Sequence, residues 1–186
     1  MGLLGNHPVR VSAKSMRLRF IACGPDCIAN GCTAKCCDAP THPTGIRVYV
    51  HPSEEAGIKK HKVKVIDGFI QPRSNERLCP FKNNEHLCSL WKKPERPTGC
   101  IVSPFMLNKT DTLIVRNRYK LLPCFSHDGD FAYRVFNSSL IALFGVDKTK
   151  QLSKHLDKGG SDVTLFMQPE IYKVVSEREG ALHGAK

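Results

Sequence analysis

Five of the chain's nine cysteines fall within fifteen residues, at Cys23, Cys27, Cys32, Cys36 and Cys37. The others are Cys79, Cys88, Cys100 and Cys124. Thiols at this density either pair as disulfides or give up their protons to a metal. Both outcomes tie loops together, so the fold must be organised around them. An odd count leaves one thiol over from a full set of disulfides. Nine in 186 residues is also a smaller share than a disulfide-only scaffold carries. Burial as a small apolar residue accounts for a lone Cys124 as well as ligation does, but not for five thiols in one loop.

The compartment decides between the two chemistries. Residues 1–20 lack the uninterrupted apolar stretch of a secretory signal, and no run approaches the roughly 18 apolar residues of a membrane span. Arg10, Lys14, Arg17 and Arg19 with no acid among them give a transit-peptide flavour, but the segment is short and poor in serine. Asn6 stands where myristoylation needs Ser or Thr. Asn108-Lys109-Thr110 and Asn137-Ser138-Ser139 match the glycosylation pattern, which has no meaning without secretion. A reduced, cytoplasmic protein with no membrane partner is the expectation, and that favours metal.

The formal net charge is +11, and it is uneven. Residues 1–22 carry +4, 23–45 carry −1, 46–77 carry +3 and 78–125 carry +5, whereas 126–186 hold equal numbers of bases and acids. The excess therefore lies in the portion that holds every cysteine. It reads either as a footprint for nucleic acid or an acidic protein partner, or as compensation for thiolates. Eight metal-bound thiolates with two divalent ions would lower the net charge to about +7.

Along the chain, residues 1–22 read as a basic N-terminal arm, with a possible strand over Met16–Ile21. Residues 23–125 read as the cysteine-cluster domain and 126–186 as a helical extension packed on it. Gly45–Val50 and Lys62–Ile66 suggest strands. Pro52-Ser53-Glu54-Glu55 predicts a helix start with Ser53 as N-cap. Thr112–Val115 is a strand or a helix turn. Phe131, Val135, Phe136, Leu140, Leu143 and Phe144 recur at helical spacing, which predicts one helix over 130–144 ended by Gly145. Further helices are expected over 147–158, stopped by Gly159-Gly160, and over 169–182, with a strand at 163–166. The fold class expected is α+β: one small domain organised by a cysteine-rich metal centre, with helices at its C-terminal end.

The spacing of the thiols is irregular. Three, four and three residues separate the first four, then Cys37 follows directly; eight and eleven separate Cys79, Cys88 and Cys100. No two-residue knuckle of a zinc finger is present. Adjacent Cys36 and Cys37 would face opposite ways in extended backbone, so the pair either links two sites or puts one thiol in the core. Eight or nine thiols suit two four-thiolate sites, or one cluster with spare thiols.

Two segments carry a resemblance. The first runs from Cys23-Gly24-Pro25-Asp26-Cys27 to Cys32-Thr33-Ala34-Lys35-Cys36-Cys37. The second comprises Cys79-Pro80-Phe81, Leu87-Cys88-Ser89-Leu90-Trp91, Glu95-Arg96-Pro97-Thr98-Gly99-Cys100 and Ser103-Pro104-Phe105. Together they are similar to the bacterial and archaeal zinc- or iron-chelating domain family, also named for a C-x-x-C-x-x-C-C motif. The resemblance covers roughly residues 20–125 and implies metal without naming a reaction. It maps the metal-binding role onto Cys23 or Cys27, Cys32, Cys36, Cys37, Cys79, Cys88 and Cys100. The spacings of the first segment are one or two residues longer than the motif, Gly99 stands where the family has a bulkier residue, and Cys124 is either extra or the last of the set.

Other chemistry is thinner. Cys124 and His127 have ligand-pair spacing, but a loop cysteine beside a helix cap at Asp128 or Asp130 explains them more simply. His42, His51, His61 and His86 lie near the cysteines and could each replace a thiolate. Arg116, Arg118, Tyr119 and Lys120 mix base and aromatic as nucleic-acid surfaces do, or form a solvated face. There is no phosphate loop, H-E-x-x-H helix or nucleophile elbow. The function expected is metal binding, with zinc or iron as cofactor, the latter including a [4Fe-4S] cluster. The alternatives are a basic zinc-containing nucleic-acid-binding protein and an iron–sulfur redox or modification enzyme.

Overall fold

The computed structural model describes residues 6–23, 36, 48–72, 79–85, 87–91 and 93–183. Its framework is a four-stranded sheet of β1 (His7–Val11), β5 (Phe105–Leu107), β6 (Thr112–Val115) and β8 (Val163–Met167), in the order β5-β6-β1-β8. β1 runs parallel to β6 and antiparallel to β8, with Val9 opposite Leu165 and Val11 opposite both Leu113 and Val163. Val9, Val11, Phe105, Leu107, Leu113, Val115 and Met167 share the buried face, as a period-two strand requires.

The segment expected as a basic arm thus supplies a central strand. Pro8, which has no N–H to give, lies before the short ladder of Arg10 and Val11 with β6. Only Arg19–Phe20 (β2) of the expected 16–21 strand is extended; Ala13–Met16 forms a one-turn helix, α1. Ser12 caps it by accepting the Ser15 N–H at 3.2 Å, and Asp162 accepts the Ala13 N–H at 2.9 Å while also pairing with Arg10. The C-terminal extension is built into the same sheet through β8.

The helix expected over 130–144 is broken. Asp130–Phe131 (β7) pairs with β2, then α4 (Ala132–Val135) and α5 (Asn137–Phe144) follow. Phe136, at φ −102° and ψ 30°, separates the two helices. Its ring lies 5.1 Å from that of Phe20 and 5.9 Å from those of Phe105 and Tyr119. Aromatic packing at these distances outweighs the small gain from one continuous helix. Gly145 (φ 83°) ends α5, α6 (Val146–Asp157) follows, and Gly159 (φ 80°) lies just beyond its end, both glycines in the left-handed region. α7 (Pro169–His183) packs on β5 and buries Val174 and Val175.

One polar network ties α4 to the end of α6. The Tyr133 hydroxyl and the Arg134 guanidinium both donate to Asp157 at 2.6 Å. These hydrogen bonds, Tyr133 first, hold the Asp157 carboxyl below its usual value of 3.8, and burial with the Asp157 contact raises Tyr133 above 10.0. Asp157 therefore adds stability above pH about 3.8 that is lost as pH falls through its lowered folded value. Tyr133 adds stability below pH about 10 that is lost as pH rises through its raised one. Unfolding midpoints between pH 2 and pH 7 should drop less steeply for Asp157→Asn than for the native chain. Parallel acid limbs would show that the network contributes nothing.

A smaller lobe covers Val48 to Ile101. Val48 and Val50 face one way and Tyr49 the other. Asp67-Gly68, both at positive φ, turn the hairpin of β3 (Val65–Ile66) and β4 (Phe69–Ile70). Among the described residues, its core holds seven: Val48, Val50, Ile58, Ile70, Cys79, Phe81 and Leu90. Twenty-two described residues form the main core.

The N-cap of helix α2 (Pro52–Lys59) lies two residues earlier than expected. His51, not Ser53, is the N-cap, because Pro52 suits the first helical position. The Nδ1 of His51 accepts the Ser53 N–H at 3.3 Å, and Glu54 reaches back to the His51 N–H at 3.0 Å. The other Glu54 oxygen accepts from the Thr98 N–H at 2.9 Å and its hydroxyl at 2.6 Å. One carboxylate thereby joins α2 to α3 (Thr98–Ile101), which carries Cys100. Glu54→Ala should cost roughly 2–4 kcal/mol, since three bonds to a charged acceptor are lost, and Glu54→Gln about half as much. Denaturant titration of the two variants checks this; equal, near-zero effects would contradict it.

Candidate metal centre

The second cysteine segment is a chain of turns. The Lys82 N–H donates to the Cys79 carbonyl at 3.0 Å, closing a turn with Pro80 at its second position. Lys82 then pairs across an antiparallel bridge with Cys88, and the Ser89 N–H bonds the Phe81 carbonyl at 2.8 Å. The Trp91 N–H returns to the Cys88 carbonyl at 3.0 Å. Phe81 and Leu90 anchor these turns in the small core. The prolines expected to break long elements do so, leaving α3 as a single turn with Cys100 in it.

Cys79 is buried within the small core, and the half-buried Cys88 and Cys100 pack against it. Cys36 and Cys124, both half-buried, pack against the main core instead. Cys23 is exposed and follows Ile21, whose N–H bonds the Cys124 carbonyl at 2.7 Å. Cys27, Cys32 and Cys37 lie outside the described residues. The described thiols thus fall into two neighbourhoods, one on each core. Tyr49 of the main core sits between Val48 and Val50 of the other. Among the described residues, no group of three His, Cys, Asp or Glu side chains stands together as a metal-holding set. Cys79, Cys88 and Cys100 belong to or border the small core without forming such a set.

The histidines weighed as substitutes have other surroundings. His51 is the cap of α2, and the ring of His61 lies edge-on to Phe81 at 5.5 Å. His127 is exposed, and its carbonyl accepts from Arg19. His42 and His86 lie outside the described residues.

The basic run forms a 3-10 turn over Asn117–Leu121. Arg116 Nε donates to the Phe105 carbonyl at 3.0 Å, and Arg118 donates to the Ser103 hydroxyl at 2.9 Å. Lys120 reaches Asn117 at 3.2 Å. Tyr119, 6% exposed, bonds Ser103 and leaves almost no ring face for a base to stack on. A cleft of about 400 Å³ is lined by Phe20, Ile21, Ala22, Asp128, Asp130 and Arg134, and none of the basic run lines it.

Sequence reasoning missed Lys82. It is 8% exposed. Arg96 lies 4.5 Å over the Trp91 ring, and its Nε is buried with no hydrogen-bond acceptor among the described residues. The lobe thus carries two cations drawn in from solvent, and neither composition nor spacing signals them.

No protein-family model, curated protein or solved structure matches the chain. The resemblance to the zinc- or iron-chelating family rests on the two cysteine segments alone. No helix of the described residues is long and apolar enough to cross a membrane.

Proposed function

We propose that this chain is a metal-binding protein of the zinc- or iron-chelating cysteine-cluster kind, holding zinc or an iron–sulfur cluster through thiolates of its two cysteine segments in a reducing compartment. The observation that carries the reading is the mismatch between the small lobe and its core. Among the described residues, the lobe's own cluster holds seven buried apolar side chains, its strands are two residues long, and three cysteines border or belong to that cluster. Cores this small need a staple, and metal–thiolate bonds supply folding energy directly. Cys79, Cys88 and Cys100 are the described residues that would hold the metal, with the remaining ligands drawn from the 23–37 segment. A structural zinc would fix the loops; an iron–sulfur cluster would add electron transfer.

Elemental analysis of protein purified without oxygen, together with its visible spectrum, tests the reading. Stoichiometric zinc with no visible absorption, or iron with a brown colour, supports it. Protein free of metal, with every thiol open to alkylation, would refute it. Burial of Tyr119 weakens the nucleic-acid alternative, because its proposed stacking residue belongs to the core.

A further inference from the structure

We propose that Trp91 and Arg96 form a binding site for single-stranded nucleic acid on the small lobe, the indole taking a base and the guanidinium its phosphate. The proposal does not rest on the metal reading, and the 116–120 run plays no part in it. Arg96 lies 4.5 Å over the Trp91 ring. Trp91 is 38% exposed, so part of it stays open to solvent. Three successive turns hold the pair. The Trp91 N–H bonds the Cys88 carbonyl at 3.0 Å, the Lys93 N–H that of Leu90 at 3.1 Å, and the Arg96 N–H that of Lys93 at 3.1 Å. Leu90 and Pro97, both buried, anchor these turns.

What marks the pair as a site is the unpaired cation. The Nε of Arg96 is buried with no hydrogen-bond acceptor, and among the described residues no carboxylate pairs with the guanidinium. Arg10 and Arg134, by contrast, each pair with an aspartate. A guanidinium fork is shaped for a phosphate or a carboxylate, so an anion is left for a partner to bring. The open aromatic surface beside it selects which partner. Every base has a flat face to stack on an indole, and in a nucleic-acid strand a phosphate adjoins each base. An acidic protein would supply the anion without the stacking plane. The surrounding charge has the matching sign: Lys93 is exposed in the turn between the two residues, and 78–125 carry +5.

The test uses full-length, reduced protein and a short, end-labelled, single-stranded thymidine oligonucleotide, followed by fluorescence anisotropy over a series of salt concentrations. Trp91, the chain's one tryptophan, reports in parallel through its own emission. The native chain should bind, binding should quench Trp91, and affinity should fall as salt rises. Trp91→Leu should weaken binding by about 5–150-fold, the loss of one stacked base, whereas Trp91→Phe should retain most of it. Arg96→Gln should lower the slope of log affinity against log salt by about 0.7, one phosphate of a single strand. If Trp91→Leu does not fold, native quenching and the Arg96→Gln slope decide. A native chain that does not bind, or binds with Trp91 emission unchanged, would overturn the proposal. So would an unchanged slope for Arg96→Gln, or equal losses for Trp91→Leu and Trp91→Phe, which mark a packing residue. Polyglutamate that quenches Trp91 as strongly as the oligonucleotide would point to an acidic protein partner and overturn it as well.

Discussion

Stripping metal from the reduced protein with a strong chelator should unfold the Val48–Ile101 lobe while the four-stranded sheet stays folded. The two parts stand on different footings. The sheet and its helices bury twenty-two residues in one cluster, with five-residue strands paired on a central ladder. Among the described residues the lobe's own cluster holds seven, and its longest regular element is the eight-residue helix α2. Binding of structural zinc by thiolates is worth roughly 10–16 kcal/mol in small domains, and that energy is folding energy. Hydrogen exchange should therefore lose protection at Ile70, Lys82, Ser89 and Trp91, whose N–H groups bond to carbonyls within the lobe, but not in β1 and β8. Trp91 is the chain's one tryptophan and is already 38% exposed, so its emission offers a second readout. Unchanged protection in protein shown to be metal-free would contradict the expectation.

Gly99→Ala should be among the most damaging single substitutions in the chain. A methyl group on Gly99 would overlap the Tyr49 carbonyl oxygen and come within 3.0 Å of the Tyr49 nitrogen. Neither group can move cheaply. Tyr49 bridges Phe69, its ring lies 5.8 Å from that of Phe69, and its flanking valines are buried. Gly99 sits one residue before Cys100, so the strain falls on the helix that carries a thiol. A loss of about 3 kcal/mol or more is expected, or roughly 6–12 °C in Tm for a chain of this size. Gly129→Ala should behave similarly, since its methyl would overlap the backbone of Phe20. Gly57→Ala is the control of opposite sign. It has open space around it inside α2, and alanine there should stabilise by about 0.5–1 kcal/mol. Equal midpoints for the Gly99 and Gly57 variants would show the close approach to be absent.

Much of the C-terminal half was legible in the sequence, because local signals there agree with one another. Gly145 and Gly159 punctuate α5 and α6 at positive φ, Pro169 opens α7, and 163–167 alternates as a half-buried strand should. The failures share a cause, which is information held by distant residues. β1 has only Val9 and Val11 to mark it, with Pro8 arguing against a strand; its place is set by partners at 112–113 and 163–167. The helical stripe over 131–144 is a true core stripe. What breaks it is Phe136, held by Phe20, Phe105 and Tyr119, and no local pattern announces that group. The cap of α2 was misplaced by reading Ser53 as the usual capping residue, when Pro52 fixes the start and a histidine ring substitutes. For the candidate site, the sequence singles out the thiols but not their surroundings. Burial of Lys82, the three-way grip of Glu54 and the contact at Gly99 all come from segments brought together by folding.

Metal K-edge X-ray absorption on protein purified without oxygen reads the ligand set itself. The account predicts stoichiometric zinc or iron with a first shell dominated by sulfur near ~2.3 Å. A first shell of nitrogen and oxygen alone at about 2.0–2.2 Å, or protein that carries no stoichiometric metal, would contradict it.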